Sequence, residues 1–532
     1  MPLNAAELIL ARSMEPAIRV RPALHFNGGV VTYAELHTLI NRAANAFLGL
    51  NVQRGECVPL LLADSPLYAA CILGLMKIGA VPIPINTKLK PEEYKHIAAD
   101  CSARLLVHGA DFADMLSELA GVKLLPAAGG KDSITRRMAA AAPHAEFAAL
   151  EAEDPCFWLY SSGTTGAPKG IVHSQRAAAE SSKIMREVLG LDETAVIFST
   201  SKLFFAFALD NALLGALRMG ASTVLNEGWA DPGTIAAQAE RIAPDVFLTV
   251  PTFFRRLLGL SEEQLAPFRE CRYYMTGGER VPDAVALKWQ EVTGHELIPC
   301  YGMSETFCNA LSNFPGEVRM GSCGKPLAGV EAMLLARNAR PGESEPLGVE
   351  EPGVLWVRHP SLALRYNSEQ KTAESFVDGW FCTNDQFRVD AEGYWFHEGR
   401  ADELLKVAGQ WVRPQEVEDA FLGEHVREAA CVVVPDADGF ERLALYIVPD
   451  APDGVDLPEI EARARAGLPS HSWPKWVRTV GELPRTPTGK VQKYRLKELL
   501  QAEMLFSAPA DQVAPGEELP AATADRQGPA PA

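Results

Sequence analysis

Tyr160-Ser161-Ser162-Gly163-Thr164-Thr165-Gly166-Ala167-Pro168-Lys169-Gly170 is the stretch on which the reading of this chain turns. Five hydroxyls, three glycines and a lysine in eleven residues make a loop able to wrap a polyphosphate. Glycines let backbone N–H groups converge on an anion with no Cβ in the way. Ser and Thr hydroxyls add donors, and Lys169 adds a point charge. The preceding run, Cys156-Phe157-Trp158-Leu159-Tyr160, reads as a buried strand and the segment from Ser174 onward as a helix, so the loop is expected to join strand to helix. A Walker A loop is excluded, because Pro168 precedes the lysine and Gly170 follows it. The competing reading is a flexible Gly/Ser/Thr connector; the lysine and the strand context favour phosphate.

The pattern S-S-G-T-T-G-x-P-K-G closely resembles the signature of the adenylate-forming enzymes, a family that includes acyl-CoA synthetases, peptide-synthetase adenylation domains and firefly-type luciferases. The resemblance implies that Ser161, Ser162, Gly163, Thr164, Thr165, Gly166 and Lys169 hold the β- and γ-phosphates of ATP while a carboxylate attacks the α-phosphorus.

Composition sets the bounds. A chain of 532 residues is too long for one core. Hydrophobic content of 47% and charged content of 22% are those of an ordinary globular protein. With 50 basic against 68 acidic residues, the net charge of −18 argues against a nucleic-acid or anionic-membrane surface. The ten cysteines form no C-x-x-C pair and the eleven histidines no metal set, which fits free thiols in a reducing cytoplasm. The N-terminus lacks the flanks of a signal peptide. The most apolar region, 58–85, is broken by Asp64, Lys77 and prolines, so no bilayer span is expected. No G-x-S-x-G hydrolase elbow is present.

Up to about Leu150, amphipathic helices alternate with buried strands such as 57–62 and 79–85. This βαβ rhythm predicts a mostly parallel sheet covered by helices. Further strands are expected at 194–200, 221–225 and 245–251, with helices at 211–219 and 252–256. From Gly321 to Trp395, glycines and prolines punctuate short strands, suggesting a β-rich subdomain. The polar patch Glu398-Gly399-Arg400-Ala401-Asp402-Glu403 marks a boundary. The fold class is therefore α/β. A large N-terminal domain of parallel sheets, covering helices and a β-rich subdomain spans 1–399, and a small α/β domain, mobile in the family, spans 400–505. The Ala/Pro/acidic tail 506–532 lacks the apolar spacing of a core and is expected to be disordered.

Other patches carry chemistry. Tyr301-Gly302-Met303-Ser304-Glu305-Thr306 places a ring, hydroxyls and a carboxylate within six residues. Transfer of AMP needs its charge neutralised, commonly by Mg²⁺ on hard oxygens, and Glu305 suits that task while Tyr301 has the ring to stack on a base. Met275-Thr276-Gly277-Gly278-Glu279-Arg280 is a strand-to-loop turn allowing close backbone approach. By resemblance, both patches line the adenine and α-phosphate site, with Ser304 and Glu305 catalytic and Thr165 joining Glu305 at the metal. Asp385 corresponds to the carboxylate that grips the ribose hydroxyls. Asn384 stands where the family has glycine, and Asn tolerates positive φ, so the turn should survive. Gly399 to Lys406 resembles the family hinge, with Arg400 at ribose or phosphate, Asp402 as pivot and Gly409 near the thiol tunnel. Pro484-Arg485-Thr486-Pro487-Thr488-Gly489-Lys490 ends in the lysine that, in the family, bridges the substrate carboxylate and the phosphate.

Ser201-Lys202-Leu203-Phe204-Phe205-Ala206-Phe207-Ala208-Leu209-Asp210-Asn211 resembles the L-F-F-A-[YF]-x-L-x-N stretch of benzoate-type CoA ligases. Phe204, Phe205 and Ala208 suit an aryl pocket, and three phenylalanines on a helix suit a core equally well. Asp210 replaces a small residue and is either on the surface or a reader of a polar ring substituent. Val250, Pro251, Thr276, Gly277 and Met303 are further walls by family position. The resemblance spans about residues 25–500. It implies an ATP-dependent aromatic-carboxylate CoA ligase working through an acyl-adenylate, with ATP, Mg²⁺ and coenzyme A as cofactors and co-substrates. A stand-alone adenylation enzyme loading a carrier-protein thiol, a ligase for a non-aromatic acid, a luciferase-like oxygenase and a non-catalytic nucleotide-binding protein are the alternatives. A homodimer is a family-level expectation.

Overall fold

The computed structural model describes residues 3–117, 119–130, 132–161, 168–401, 405–407, 410–412, 414–423, 425–436, 439–450, 456–485 and 491–507. Two compact units, Met1–Leu404 and Leu405–Ala532, divide the chain. The division falls beyond position 399, because Arg400 closes strand Trp395–Arg400 and pairs opposite Asp385.

In the large unit, strands Pro22–Phe26, Ser222–Leu225, Val196–Ser199, Val246–Thr249, Tyr273–Thr276 and Leu297–Tyr301 run parallel within a nine-stranded sheet whose outer strands are antiparallel. Strands Ser222–Leu225 and Val246–Thr249 are buried throughout, as sheets covered on both faces demand. A second parallel sheet is built from Val81–Pro84, Cys57–Leu61, Leu105–His108 and Lys123–Pro126. Helices start where their caps dictate. Thr32 and Glu35 form a reciprocal capping box ahead of Tyr33–Leu48, and Asp231 caps Pro232–Ile242 with proline in its first turn.

An aromatic cluster anchors the middle of the main sheet. Trp289, wholly buried, meets Phe254 at 4.7 Å and Tyr274 at 5.1 Å, and Phe247 meets Phe268 at 5.3 Å. Edge-to-face packing of these rings holds strands Val246–Thr249 and Tyr273–Thr276 rigidly. Their carboxyl ends therefore present Val250, Pro251, Thr276 and Gly277 at fixed positions, on the edge where open α/β sheets bind ligands. Pro251 opens helix Pro251–Leu257 rather than ending a strand.

The β-rich subdomain is an antiparallel sheet of Glu331–Leu335, Gly353–Arg358, Trp380–Val389, Phe376–Val377 and Trp395–Arg400. Cys323 and Gly324 tie it to the edge of the main sheet through two backbone hydrogen bonds with Trp395. The small unit has a sheet of Val426–Pro435, Glu441–Pro449 and Trp476–Thr479, and helices Pro414–Phe421, Leu457–Gly467 and Lys493–Ser507.

Gly324 has φ +88°, and a Cβ there would lie 1.9 Å from the Ser312 carbonyl carbon. Gly316 has φ +80° with open space around it. Gly324→Ala should abolish soluble protein or lower Tm by many degrees, whereas Gly316→Ala should cost only about 1 kcal/mol of backbone strain. Equal thermal shifts in the two variants would contradict the packing described at Gly324.

Candidate active site

The glycine- and hydroxyl-rich loop does not join strand to helix. Pro155–Ser161 and Lys169–Ser174 are antiparallel strands with Ser161 opposite Lys169 and Tyr160 opposite Gly170, and the helix begins only at Gln175. The loop is thus a hairpin tip. Ser162, Gly163, Thr164, Thr165 and Gly166 lie outside the described residues. Gly170 is needed because a Cβ would stand 3.0 Å from Asp100 Oδ2 and 3.2 Å from Tyr160 Oη, blocking the 2.7 Å hydrogen bond that Tyr160 donates to Asp100.

Arg365–Tyr366 adds a third strand beside Lys169–Ser174. This segment ties two parts of the site together. Ala363 N–H donates to the Glu305 carbonyl, Leu364 N–H to Val172, and Asn367 N–H to Gly170, each at 2.8 Å. The Tyr366 hydroxyl donates to Glu305 Oε1 at 2.7 Å, with both side chains buried, and Lys169 Nζ lies 5.9 Å from the Tyr366 ring centroid. Burial, followed by the Glu305 charge, raises the Tyr366 phenol, which keeps it a donor. The loop itself is braced by Thr306, whose hydroxyl accepts from Met303 N–H and donates to the Met303 carbonyl, and by Ser361, which donates to the Thr306 carbonyl at 2.6 Å. Ser304 is half-buried beside Glu305.

Asp385 forms the second cluster. Tyr301 Oη donates to Oδ2 at 2.7 Å, Arg400 Nη1 donates to Oδ1 at 3.1 Å, and His397 Nε2 stands 3.8 Å from Oδ1. Asn384 has φ +56°, as its place before the aspartate requires, although the local feature is a bulge within strand Trp380–Val389 rather than a turn. Burial alone would raise the Asp385 carboxyl. The hydrogen bond and charge of His397, the Arg400 charge and the Tyr301 hydroxyl outweigh it, so the group stays below the ordinary range and is anionic at neutral pH. Tyr301 therefore presents its hydroxyl to Asp385, its ring edge to Phe387 at 4.9 Å, and a 3.8 Å contact to Met303 Sδ.

Gly277 lies against Cys300, with Cβ room of only 3.1 Å to its carbonyl oxygen, while Gly278 takes φ +83° in open space. Glu279 is exposed and accepts from the Thr252 hydroxyl; Arg280 is exposed in the same loop. Phe204 and Phe205 precede the helix rather than lying on it. Their rings meet edge to face at 4.5 Å, and Phe204 also meets Trp229 at 6.2 Å. Ala208, Pro251 and Thr276 are buried and Val250 half-buried. Asp210 is no surface residue: it is 2% exposed, in the helical segment that follows Ala206. Lys490, Asp402 and Gly409 lie outside the described residues. Sequence reasoning missed Tyr366 and His397, for neither belongs to a motif recognisable from residue type. No group of three potential metal-binding side chains occurs among the described residues.

A carboxylate whose folded pKa is depressed adds stability above its unfolded pKa, about 3.9, and loses it as pH falls through the folded value. Asp385→Asn should therefore lower Tm at neutral pH, with the gap to the parent narrowing below about pH 4. A gap independent of pH, measured by scanning calorimetry, would contradict the ion pairing assigned to Asp385.

Comparison with known proteins accords with this geometry. The AMP-binding enzyme family model matches residues 17–367, and the AMP-binding enzyme C-terminal domain model matches 416–490. The 3-hydroxybenzoate–CoA ligase of Aromatoleum sp. (strain CIB) is 37% identical, with 94% of this chain and 98% of that protein covered. The 3-hydroxybenzoate–CoA/4-hydroxybenzoate–CoA ligase of Thauera aromatica is 34% identical, at 94% and 98% coverage. Among solved structures, an anthranilate CoA ligase in complex with anthranoyl-AMP superposes with a TM-score of 0.87 at 32% identity, covering 94% of this chain and 99% of that one. With the first model spanning well over half of its length, this chain belongs to the AMP-binding enzyme family.

Proposed function

We propose that this chain activates an aromatic carboxylic acid with ATP and passes the acyl group to coenzyme A. The observation that carries the reading is the strapping of the hairpin to Glu305 by residues 363–367, with Tyr301, four residues before Glu305, bonded to Asp385, which also accepts from Arg400. The names of the two hydroxybenzoate–CoA ligases above support the aromatic acid and the thiol acceptor.

In the first half-reaction a carboxylate oxygen attacks the α-phosphorus, and the bond to pyrophosphate breaks. Lys169 and the hairpin tip neutralise the departing phosphates, and Lys490 holds the attacking carboxylate and the phosphate together against their mutual repulsion. Asp385 accepts from the ribose hydroxyls, an anion being the better acceptor. In the second half-reaction the thiol sulfur attacks the acyl carbon, the bond to AMP breaks and the thiol proton is released. Asp402 serves as the pivot that withdraws Lys490 between the two steps. Glu305 fits a Mg²⁺ ligand: it is a buried hard oxygen donor with one oxygen engaged by Tyr366, which orients the other. Mg²⁺ bound there would offset the polyphosphate charge.

ATP–pyrophosphate exchange across benzoates, cinnamates and short fatty acids tests the reading, followed by mass spectrometry after CoA is added. Exchange with benzoates and an acyl-CoA product are expected; exchange with fatty acids alone, or a product only on a carrier protein, would overturn it. Lys490→Ala should slow exchange roughly 10²-fold or more, and unchanged exchange would remove that lysine from the mechanism. Phe204→Ala should damage aryl acid use more than ATP binding; equal effects would reject the pocket assignment. Tyr366→Phe should raise the metal concentration for half-saturation about tenfold, since a hydrogen bond to a charged group contributes about 1.5 kcal/mol. Mn²⁺ titration followed by electron paramagnetic resonance, with Tm as control, reads this directly. An unchanged titration would make Tyr366 merely structural.

A further inference from the structure

A buried ammonium fastens together three loops that leave the carboxyl ends of parallel strands. Lys202, 4% exposed, lies just past strand Val196–Ser199. Its Nζ donates to the carbonyls of Asn226, Glu227 and Gly228, which follow strand Ser222–Leu225. An ammonium has three N–H groups and no acceptor, so three carbonyls satisfy it completely. Its charge is met by Asp64, also 4% exposed, which lies past strand Cys57–Leu61 of the second parallel sheet. Asp64 Oδ2 stands 3.9 Å from the ammonium, and Oδ1 accepts from the Leu203 N–H at 3.3 Å. Burial lowers the Lys202 ammonium and raises the Asp64 carboxyl, and each charge opposes the other's shift. Burying such a pair is costly, and no step of the reaction proposed above uses it.

What the ammonium sets in place is Trp229, the residue after its three carbonyls. The indole meets the Phe204 ring at 6.2 Å, and Lys202 Nζ lies 6.0 Å from its centroid. Lys88, from the loop after strand Val81–Pro84, holds its Nζ 3.8 Å from the same centroid. Trp229 is nevertheless 42% exposed, so apolar burial alone does not hold it there. The backbone on either side of the Phe204–Trp229 contact is pinned instead: Leu203 by Asp64, and 226–228 by Lys202. A large aromatic face kept open to solvent against a ring of the proposed pocket suits a flat acid, which stacks or packs edge-on. We propose that Lys202, paired with Asp64, is a positioning residue for the aromatic acid, fixing Trp229 against Phe204 as a further wall of the acid pocket. The proposal rests on the aryl acid reading above and on the assignment of Phe204 to the pocket. The opposing account makes the staple part of the fold alone, and the test separates the two.

The experiment measures KM for the best aromatic acid and KM for ATP in ATP–pyrophosphate exchange, with Tm as control. It compares the full chain, Trp229→Ala, Lys202→Met in an Asp64→Asn background, and all three substitutions together. Asparagine keeps an oxygen for the Leu203 N–H, and removing both charges leaves neither buried alone. Trp229→Ala and the paired variant should each raise KM for the acid about tenfold and leave KM for ATP within about twofold, because the lost geometry is that of the acid alone. Combined, they should raise it no further than the larger effect, since both remove the same wall. Effects that multiply overturn the proposal, because Lys202 then does not act through Trp229. So does an acid KM unmoved by Trp229→Ala, or a paired variant in which both KM values rise together or only Tm falls. Should the methionine variant fail to accumulate, Lys202→Gln, which keeps two donors for the carbonyls, takes its place with the same expectation. If neither accumulates, the staple belongs to the fold and the proposal is overturned. A parent that exchanges only with aliphatic acids brings down the aryl acid reading, and the proposal with it, before any variant is compared.

Discussion

Everything at this site depends on one constraint: the hairpin of Pro155–Ser161 and Lys169–Ser174 and the buried Glu305 carboxylate are held together although 61 positions part Glu305 from Tyr366 in the chain. The segment 363–367 meets it. Its backbone continues the hairpin as a third strand, its Ala363 N–H grips the Glu305 backbone, and its Tyr366 hydroxyl grips the Glu305 side chain. Backbone ladders are stiff, and a buried hydroxyl–carboxylate hydrogen bond is among the stronger neutral-to-charged pairs. In the proposed reaction, the groups that would meet phosphate and cation are thereby preorganised.

The Asp385 cluster applies the same logic to a different charge. Three partners from two elements, Tyr301 on the main sheet and His397 and Arg400 on the subdomain sheet, keep a buried aspartate ionised. Tyr301 thus links the parallel sheet, the Glu305 loop and the antiparallel sheet. Removing any one partner would leave a buried anion underpaid in hydrogen bonds, so the cluster also fastens the two sheets together.

Much of this was legible from residue types. Uninterrupted apolar runs marked the parallel strands, and Asn384 before Asp385 announced a positive φ that the structure contains. The hairpin was misread because Gly170-Ile171-Val172-His173 is short and ends at the Ser174 helix cap, so the helix signal outweighed a strand of six residues. Tyr366 was invisible because its meaning lies in a partner far along the chain. The burial of Asp210 was ambiguous because a charged residue in an apolar helix normally faces water. The pairing of Arg400 with Asp385 is one that charge patterning alone does not reveal.

The central claim is that one nucleotide joins these clusters. A crystal structure with a non-hydrolysable benzoyl sulfamoyl-adenosine tests it most directly. The account places the ribose hydroxyls on Asp385, the sulfamoyl group beside Thr306 and the ring near Phe204. A ligand seated elsewhere, with Asp385 still engaged only by Tyr301, His397 and Arg400, would contradict it.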